Sequence, residues 1–217
     1  MIRFYLRRST QMAQYKKHEV LNTIKEVAMN LFLEKGFEQT HIKDIAQGAE
    51  ISVGNLYRYF ANKQEILSAL VPPSQIQALQ DLLITRTHIL HKMQLQIPLS
   101  SEEQNWYSNE YFDFLIANRK TLALIFKCRH ETVFANAISS IVAEMLKLKY
   151  QLLGEQKPIE VPDDLNTTMQ IIIAKTIELN AEVLSLEIKP AAMKRLLVNL
   201  DHFYQKGTAA LWNKLIT

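Results

Sequence analysis

Between Thr40 and Lys63 the chain sets small, polar, aromatic and basic side chains at spacings that suit contact with a polyanionic duplex. Ser52, Val53, Gly54 and Asn55 have the character of a helix's first turn entering a DNA major groove. A side chain-free Gly54 lets backbone come close to a base edge or methyl group, and Asn55 offers an amide. Tyr57 and Tyr59 carry phenols that can donate hydrogen bonds to phosphate, while Lys43, Arg58 and Lys63 add positive charge. Lys63 also stands where a further helix begins, a position that attracts anions. The plain alternative is that the two tyrosines are ordinary half-buried aromatics.

Such residues can read a groove only if short helices hold them. From His18 the apolar positions Val20, Leu21, Ile24, Val27, Ala28, Leu31 and Phe32 make one stripe of helical period. The stripe ends at Gly36, which suits the left-handed position after a helix, with Phe37 folding back. Thr40 is expected to N-cap a second helix that buries Ile42, Ile45 and Ala46, and Ser52 to cap a third with Leu56 and Phe60 inward. Asn62-Lys-Gln-Glu65 has the form of a capping box opening a fourth helix with Ile66, Leu67 and Leu70 inward. Pro72 and Pro73 stop or sharply bend it. Two short helices about a tight break at Glu50–Ser52 are the layout of a helix-turn-helix.

The charge distribution agrees with that placement. Residues 1–71 hold 10 Lys and Arg against 7 Asp and Glu, whereas residues 72–217 hold 15 of each, so the net charge of +3 sits with the basic head. A single cysteine, Cys128, excludes an intrachain disulfide and a zinc cluster, and reads as a small buried hydrophobe. No apolar run reaches the ~20 residues of a membrane span, and no signal-peptide core follows the basic opening segment. The expected location is cytoplasmic. Residues 1–15 are expected as a flexible arm, in which Arg3, Arg7 and Arg8, with Lys16 and Lys17 beyond, could touch phosphate or the minor groove. Met12 offers a second possible start.

In order and without gaps, Ile24, Ala28, Leu31, Phe32, Gly36, Phe37, Thr40, Ile42, Ile45, Ala46, Ser52, Gly54, Leu56, Tyr57, Tyr59, Phe60, Lys63 and Leu67 resemble the N-terminal domain of the TetR family of transcriptional regulators. The resemblance covers about residues 18–71. It implies a three-helix DNA-binding head on an all-helical ligand-binding and dimerisation body, and repression of palindromic operators relieved by a small molecule. Carried over by position, Thr40 and Tyr59 would contact phosphate, Val53, Gly54 and Tyr57 would face bases, and Lys63 would clamp phosphate. The family usually places glycine in the turn where this chain has Glu50. Either Glu50 takes up the left-handed conformation at roughly 1–2 kcal/mol, or Gly48 lets the turn form differently.

The expected fold class is therefore all-α: a head over residues 16–71 and a helical body over residues 72–217, about nine helices in total. In the body, helices are predicted over about 74–95, 100–117 (opened by a Ser100–Glu103 capping box), 119–127, 131–153, 164–186 and 190–215, with a loop at 154–162. The last two helices are apolar on more than one side, and such helices are buried on more than one side. Met169, Ile173, Ile177, Leu196, Leu200, Phe203, Gly207 and Leu211 are the expected interface of a two-fold homodimer, unless those helices are simply internal. Trp106, Tyr107, Tyr111, Phe112, Phe126, Phe134 and Met145, on the middle helices, are the candidate pocket for an apolar or amphipathic effector.

No catalytic constellation emerges. His88 and His91 have metal-ligand spacing but no completing ligand, and read as two histidines on one exposed helix face. Cys128 and His130 point different ways on a helix. There is no phosphate-cradling glycine loop or nucleophile elbow. No cofactor or metal is expected, and the partners are a double-stranded operator, a small effector and a second copy of the chain. The competing reading is a helical dimeric interaction protein whose head no longer binds DNA.

Overall fold

In a computed structural model, which describes residues 2–128, 131, 134, 136–155 and 160–213, the protein is all-α, with no strand among the described residues. The chain forms two compact units, Met1–Pro72 and Pro73–Thr217.

The first unit contains α1 (Ile2–Lys35), α2 (Ile42–Gly48), α3 (Val53–Leu56) and α4 (Lys63–Leu70). Helix α1 runs back to Ile2, so the backbone of residues 2–15 is helical where a flexible arm was expected. Helical geometry needs no apolar stripe once a well-packed segment downstream supplies the nucleus. The side chains of Arg3, Arg7 and Arg8 lie outside the described residues. Ile24, Ala28 and Phe32 are fully buried, a stripe of period four on α1. Gly36 takes φ 85°, its N–H bonded to Phe32 O at 3.0 Å, and ends the helix. Phe37 then folds back with its ring 5.3 Å from that of Phe32. Ile45, Ala46, Leu56, Phe60, Ile66 and Leu67 complete the core.

The second unit contains α5 (Pro73–Gln94), α6 (Ser101–Asn105), a π-helical turn (Trp106–Glu110), α7 (Tyr111–Ala117), α8 (Arg119–Lys127), α9 (Ala137–Gly154), α10 (Asp163–Leu184) and α11 (Pro190–Asn213). Helix α10 packs on α8, α9 and α11, while α5 lies against α9 and α7 against α11. Leu122–Phe126 is buried at every position, so α8 is an internal helix. The Ser100 capping box forms as expected: Ser100 Oγ accepts from Glu103 N at 3.1 Å, and the Glu103 carboxylate accepts from Ser100 N at 2.9 Å. The single helix expected over 100–117 is instead interrupted by the π turn, one reason the element count exceeds nine. His130, part of the predicted 131–153 helix and most of the predicted 154–162 loop lie outside the described residues, as does the end of the last helix.

Candidate nucleic-acid interface and ligand cavity

Ser52 caps α3, its hydroxyl accepting from Asn55 N at 3.1 Å. The helix is short: Tyr57 N still bonds Val53 O, but Arg58 N and Tyr59 N turn to Asn55 O and Leu56 O, three residues back. Leu56 is fully buried, whereas Ser52, Val53, Gly54, Tyr57 and Arg58 are exposed; Asn55 and Tyr59 are half-buried. Tyr57 is 52% exposed, and a β-carbon at Gly54 would meet nothing within 4 Å. Lys43 is exposed on α2. These residues share an open surface over an anchored core.

The turn before α3 settles the alternatives left by the sequence. Glu50 has φ 55°, so it adopts the left-handed conformation itself. Ile51 N reaches back to Ala46 O at 3.0 Å and closes the turn. Gly48 serves a different purpose. A β-carbon there would stand 2.6 Å from Val27 Cγ1, so its missing side chain is what allows α2 to lie close on α1.

Two of the expected contact residues turn inward. Thr40 is not the N-cap of α2, which begins after His41, and it is fully buried. Its hydroxyl donates to Gly36 O at 2.7 Å and Leu31 O at 3.3 Å, tying the α1–α2 corner together. Lys63 is likewise drawn inward. Its ammonium donates to Phe37 O at 2.5 Å, Thr40 O at 2.9 Å and Glu38 O at 3.4 Å, and lies 4.2 Å from the centre of the Phe37 ring. An ammonium has three donors, and all three are aimed at backbone carbonyls of the corner that follows α1. At the start of α4, Asn62 Oδ1 accepts from Glu65 N at 2.9 Å. The Glu65 carboxylate takes the N–H of Ala61 at 2.8 Å, one residue earlier than a capping box requires.

In the second unit the expected pocket is mostly filled. Tyr111, Phe112, Phe126, Phe134 and Met145 are buried in the core, and Trp106 and Tyr107 are half-buried. Trp106 and Tyr107 stack at an angle on Tyr111 and Phe112, which leaves little room among them. A cavity of about 340 Å³ lies elsewhere, with walls from α5, α9, α10 and α11; of the expected residues only Met145 borders it. Its apolar wall includes Leu90, Met93, Ile173 and Trp212, and its polar wall Arg86, Gln94, Lys149 and Thr208.

Two buried polar arrays border this space. Arg86 pairs with Asp201, whose carboxylate also accepts from the Tyr107 hydroxyl and from Gln205. Burial, reinforced by Asp201, pushes the Tyr107 phenol well above its usual range. Lys149 donates to Gln94 Oε1 at 2.6 Å and to His91 Nδ1 at 3.3 Å, with its ammonium 5.4 Å from the Trp212 ring centre. Burial pulls Lys149 down to about 8. Burial, then the Lys149 cation, hold the His91 imidazole below its ordinary range. His91 is thus an internal acceptor, 7% exposed, while His88 is exposed; the two do not share one exposed face. The sequence carried a signal for these groups. Arg86, Lys149 and Asp201 each occupy a core position of an otherwise apolar helical stripe, where a charge needs a reason.

The expected interface residues divide. Met169, Ile173 and Ile177 are buried within the unit, because α10 turns that side toward its neighbours. Leu196 and Phe203 are exposed on α11, Phe203 at 73%, with Gly207 open and Leu200 and Leu211 half-buried on the same face. Helix α10 exposes Ile171 and Leu179. Cys128 is buried, 2% exposed. No helix is long and apolar enough to cross a membrane among the described residues.

Residues 24–70 match the sequence model of the bacterial regulatory proteins of the tetR family. Over 46 residues the chain is 44% identical to the HTH-type transcriptional repressor KstR2 of Mycobacterium tuberculosis, a match spanning 21% of this chain and 23% of that protein. It is 32% identical over 92 residues to the transposon Tn10 TetC protein of Escherichia coli, 42% of each chain. A solved TetR-like transcriptional regulator from Rhodococcus sp. RHA1 is 22% identical, covering 87% of this chain and 94% of that one, with a TM-score of 0.49. The chain therefore matches less than half the length of either curated relative.

Proposed function

We propose that this chain, a member of the TetR family of bacterial regulatory proteins, is a cytoplasmic homodimeric repressor that leaves a palindromic operator when a small amphipathic molecule enters its body. The observation that carries the reading is the surface of α3. Val53 and Tyr57, 37% and 52% exposed, flank an unobstructed Gly54, with Arg58 beside them and Lys43 on the preceding helix. An exposed β-branched residue on a four-residue helix and an exposed aromatic just after it serve no core; they fit base edges and thymine methyls. Arg58, Lys43 and the Tyr59 phenol supply phosphate contacts, and Asn55 a polar contact beside them. Thr40 and Lys63 set the angle at which α2 meets α1, and so act on DNA through position.

Two-fold symmetry would match palindromic half-sites, and the exposed apolar faces of α10 and α11, with Phe203 at their most open point, are the surface that supports a dimer. The effector reading rests on the cavity among α5, α9, α10 and α11. The test is fluorescence anisotropy with DNA from the region upstream of the protein's own gene, followed by genome-wide mapping of bound sites. Gly54→Val should abolish or redirect sequence choice, whereas Arg58→Ala should weaken all sites and lower the salt slope by about one phosphate contact. Intact dimers that bind no genomic site would instead identify a helical interaction protein with a degenerate head.

A further inference from the structure

Lys149 is 6% exposed, and no described carboxylate lies within ion-pairing distance of it. Burying an ammonium without a counter-ion is costly, and here the cost falls at the wall of an open space of about 340 Å³, within the size range of small-molecule sites. Two of the three ammonium donors reach Gln94 and His91. No Asp or Glu lines the cavity. Of its other cations, Arg86 is already satisfied by Asp201, and Lys206 is exposed on α11. The two threonine hydroxyls of the lining are spent inside their own helices: Thr87 donates to Leu83 O and Thr208 to Tyr204 O, each at 2.8 Å. Among the described residues the site thus presents one buried cation with no carboxylate partner, Lys149, and an apolar wall of Leu90, Met93, Met145, Ile173 and Trp212.

We infer that this cavity binds an amphipathic monocarboxylate, whose carboxylate pairs with the Lys149 ammonium while its apolar body lies along Met145, Ile173 and Trp212. This rests on reading the cavity as the effector site. A phosphate-bearing ligand is disfavoured because its added charge would find only Lys206, exposed on α11, since Arg86 is already paired with Asp201. Of the titratable groups around it, His91 on α5 touches Lys149, while Arg86 on α5 and Tyr204 and Lys206 on α11 line the same cavity; Glu155, just beyond α9, bears on His91 but forms no ion pair with Lys149. At neutral pH Lys149 keeps its proton, since burial brings it down only to about 8. His91 stays neutral and accepts through Nδ1.

The test is isothermal titration of the full-length protein with two matched pairs, octanoate against octan-1-ol and 3-phenylpropionate against 3-phenylpropan-1-ol. A charged hydrogen bond makes each carboxylate about tenfold or more tighter than its alcohol, and Lys149→Met erases that difference. In the unaltered protein, carboxylate affinity also falls as pH rises past about 8, and alcohol affinity does not. That measurement needs no variant to fold. Alcohols binding as tightly as carboxylates, or a carboxylate preference that survives Lys149→Met, would overturn the proposal but leave the cavity as a ligand site. If no member of either pair binds, both the proposal and the effector-site reading are overturned.

Discussion

Replacing Lys63 by methionine separates a structural role from a DNA-contacting one. The ammonium satisfies Phe37 O at 2.5 Å and Thr40 O at 2.9 Å, with Glu38 O at 3.4 Å. Methionine keeps most of the aliphatic stem against the Phe37 ring but removes every donor. Charged hydrogen bonds are each worth about 1.5–3 kcal/mol. Because Lys63 is half-buried and water can replace part of what is lost, the low end applies, about 2–3 kcal/mol for the cluster. The corner between α1 and α2 should then open more often. Hydrogen exchange reads this at the Gly36 and Thr40 amides, bonded to Phe32 O and Phe37 O, where protection should fall about 30- to 150-fold. Lys63→Arg should restore part of it. Meanwhile the dependence of DNA affinity on salt, measured between about 50 and 200 mM, should keep its slope, since a lost phosphate contact would lower it by about 0.9. Unchanged protection together with a slope lower by one contact would refute the reasoning and return Lys63 to the phosphate backbone.

Four further outcomes are expected. Glu50→Gly relieves a φ of 55°, a gain of roughly 1–2 kcal/mol less about 0.4–1 for the looser unfolded chain; exchange at Ile51 should slow relative to Glu50→Ala, and equal rates would count against the strain. Gly48→Ala brings a β-carbon to 2.6 Å from the stiff Val27 side chain, so overpacking of about 1–3 kcal/mol outweighs helix propensity. Val27→Ala in the same chain should rescue it, and thermal melting decides. Phe203→Asp places a charge on a residue 73% exposed in one protomer; sedimentation should show dimer dissociation rising about 30-fold or more with helix content unchanged.

The fourth concerns pH. The folded chain holds Lys149 near 8 against an ordinary 10.5, so between those values the unfolded chain binds the extra proton and stability rises with pH. Relative to Lys149→Met the rise totals about 3 kcal/mol. Tyr107, Tyr111 and Tyr204, all raised chiefly by burial, act oppositely above about 10, which is why the comparison with the variant is needed. Parallel denaturation profiles for the two proteins would exclude a buried cation at this position.

The helix-turn-helix was legible because its determinants are local. Ile24, Ala28 and Phe32 recur at helical spacing, Gly36 relieves a left-handed corner, and Ser52 and Asn62 accept from amides three residues onward. Each is backbone chemistry within one or two turns. Thr40 was misread for the same reason. A threonine before a helix is usually a cap, and only the path of α1 across the corner brings Leu31 O and Gly36 O within reach of its hydroxyl.

The body shows the converse. Its helices, the Ser100 capping box and the all-α class follow from periodicity and short-range bonds. The faces that meet do not, because burial depends on which of several apolar sides finds a partner. Hence Met169, Ile173 and Ile177 turned inward, and the middle aromatics packed against one another instead of enclosing a ligand. Sequence alone determined that this chain carries a helix-turn-helix head on a helical body. Only the tertiary structure decided that Lys63 braces the head, and that Lys149 lies buried at the wall of an open cavity, because both depend on groups brought together from distant parts of the chain.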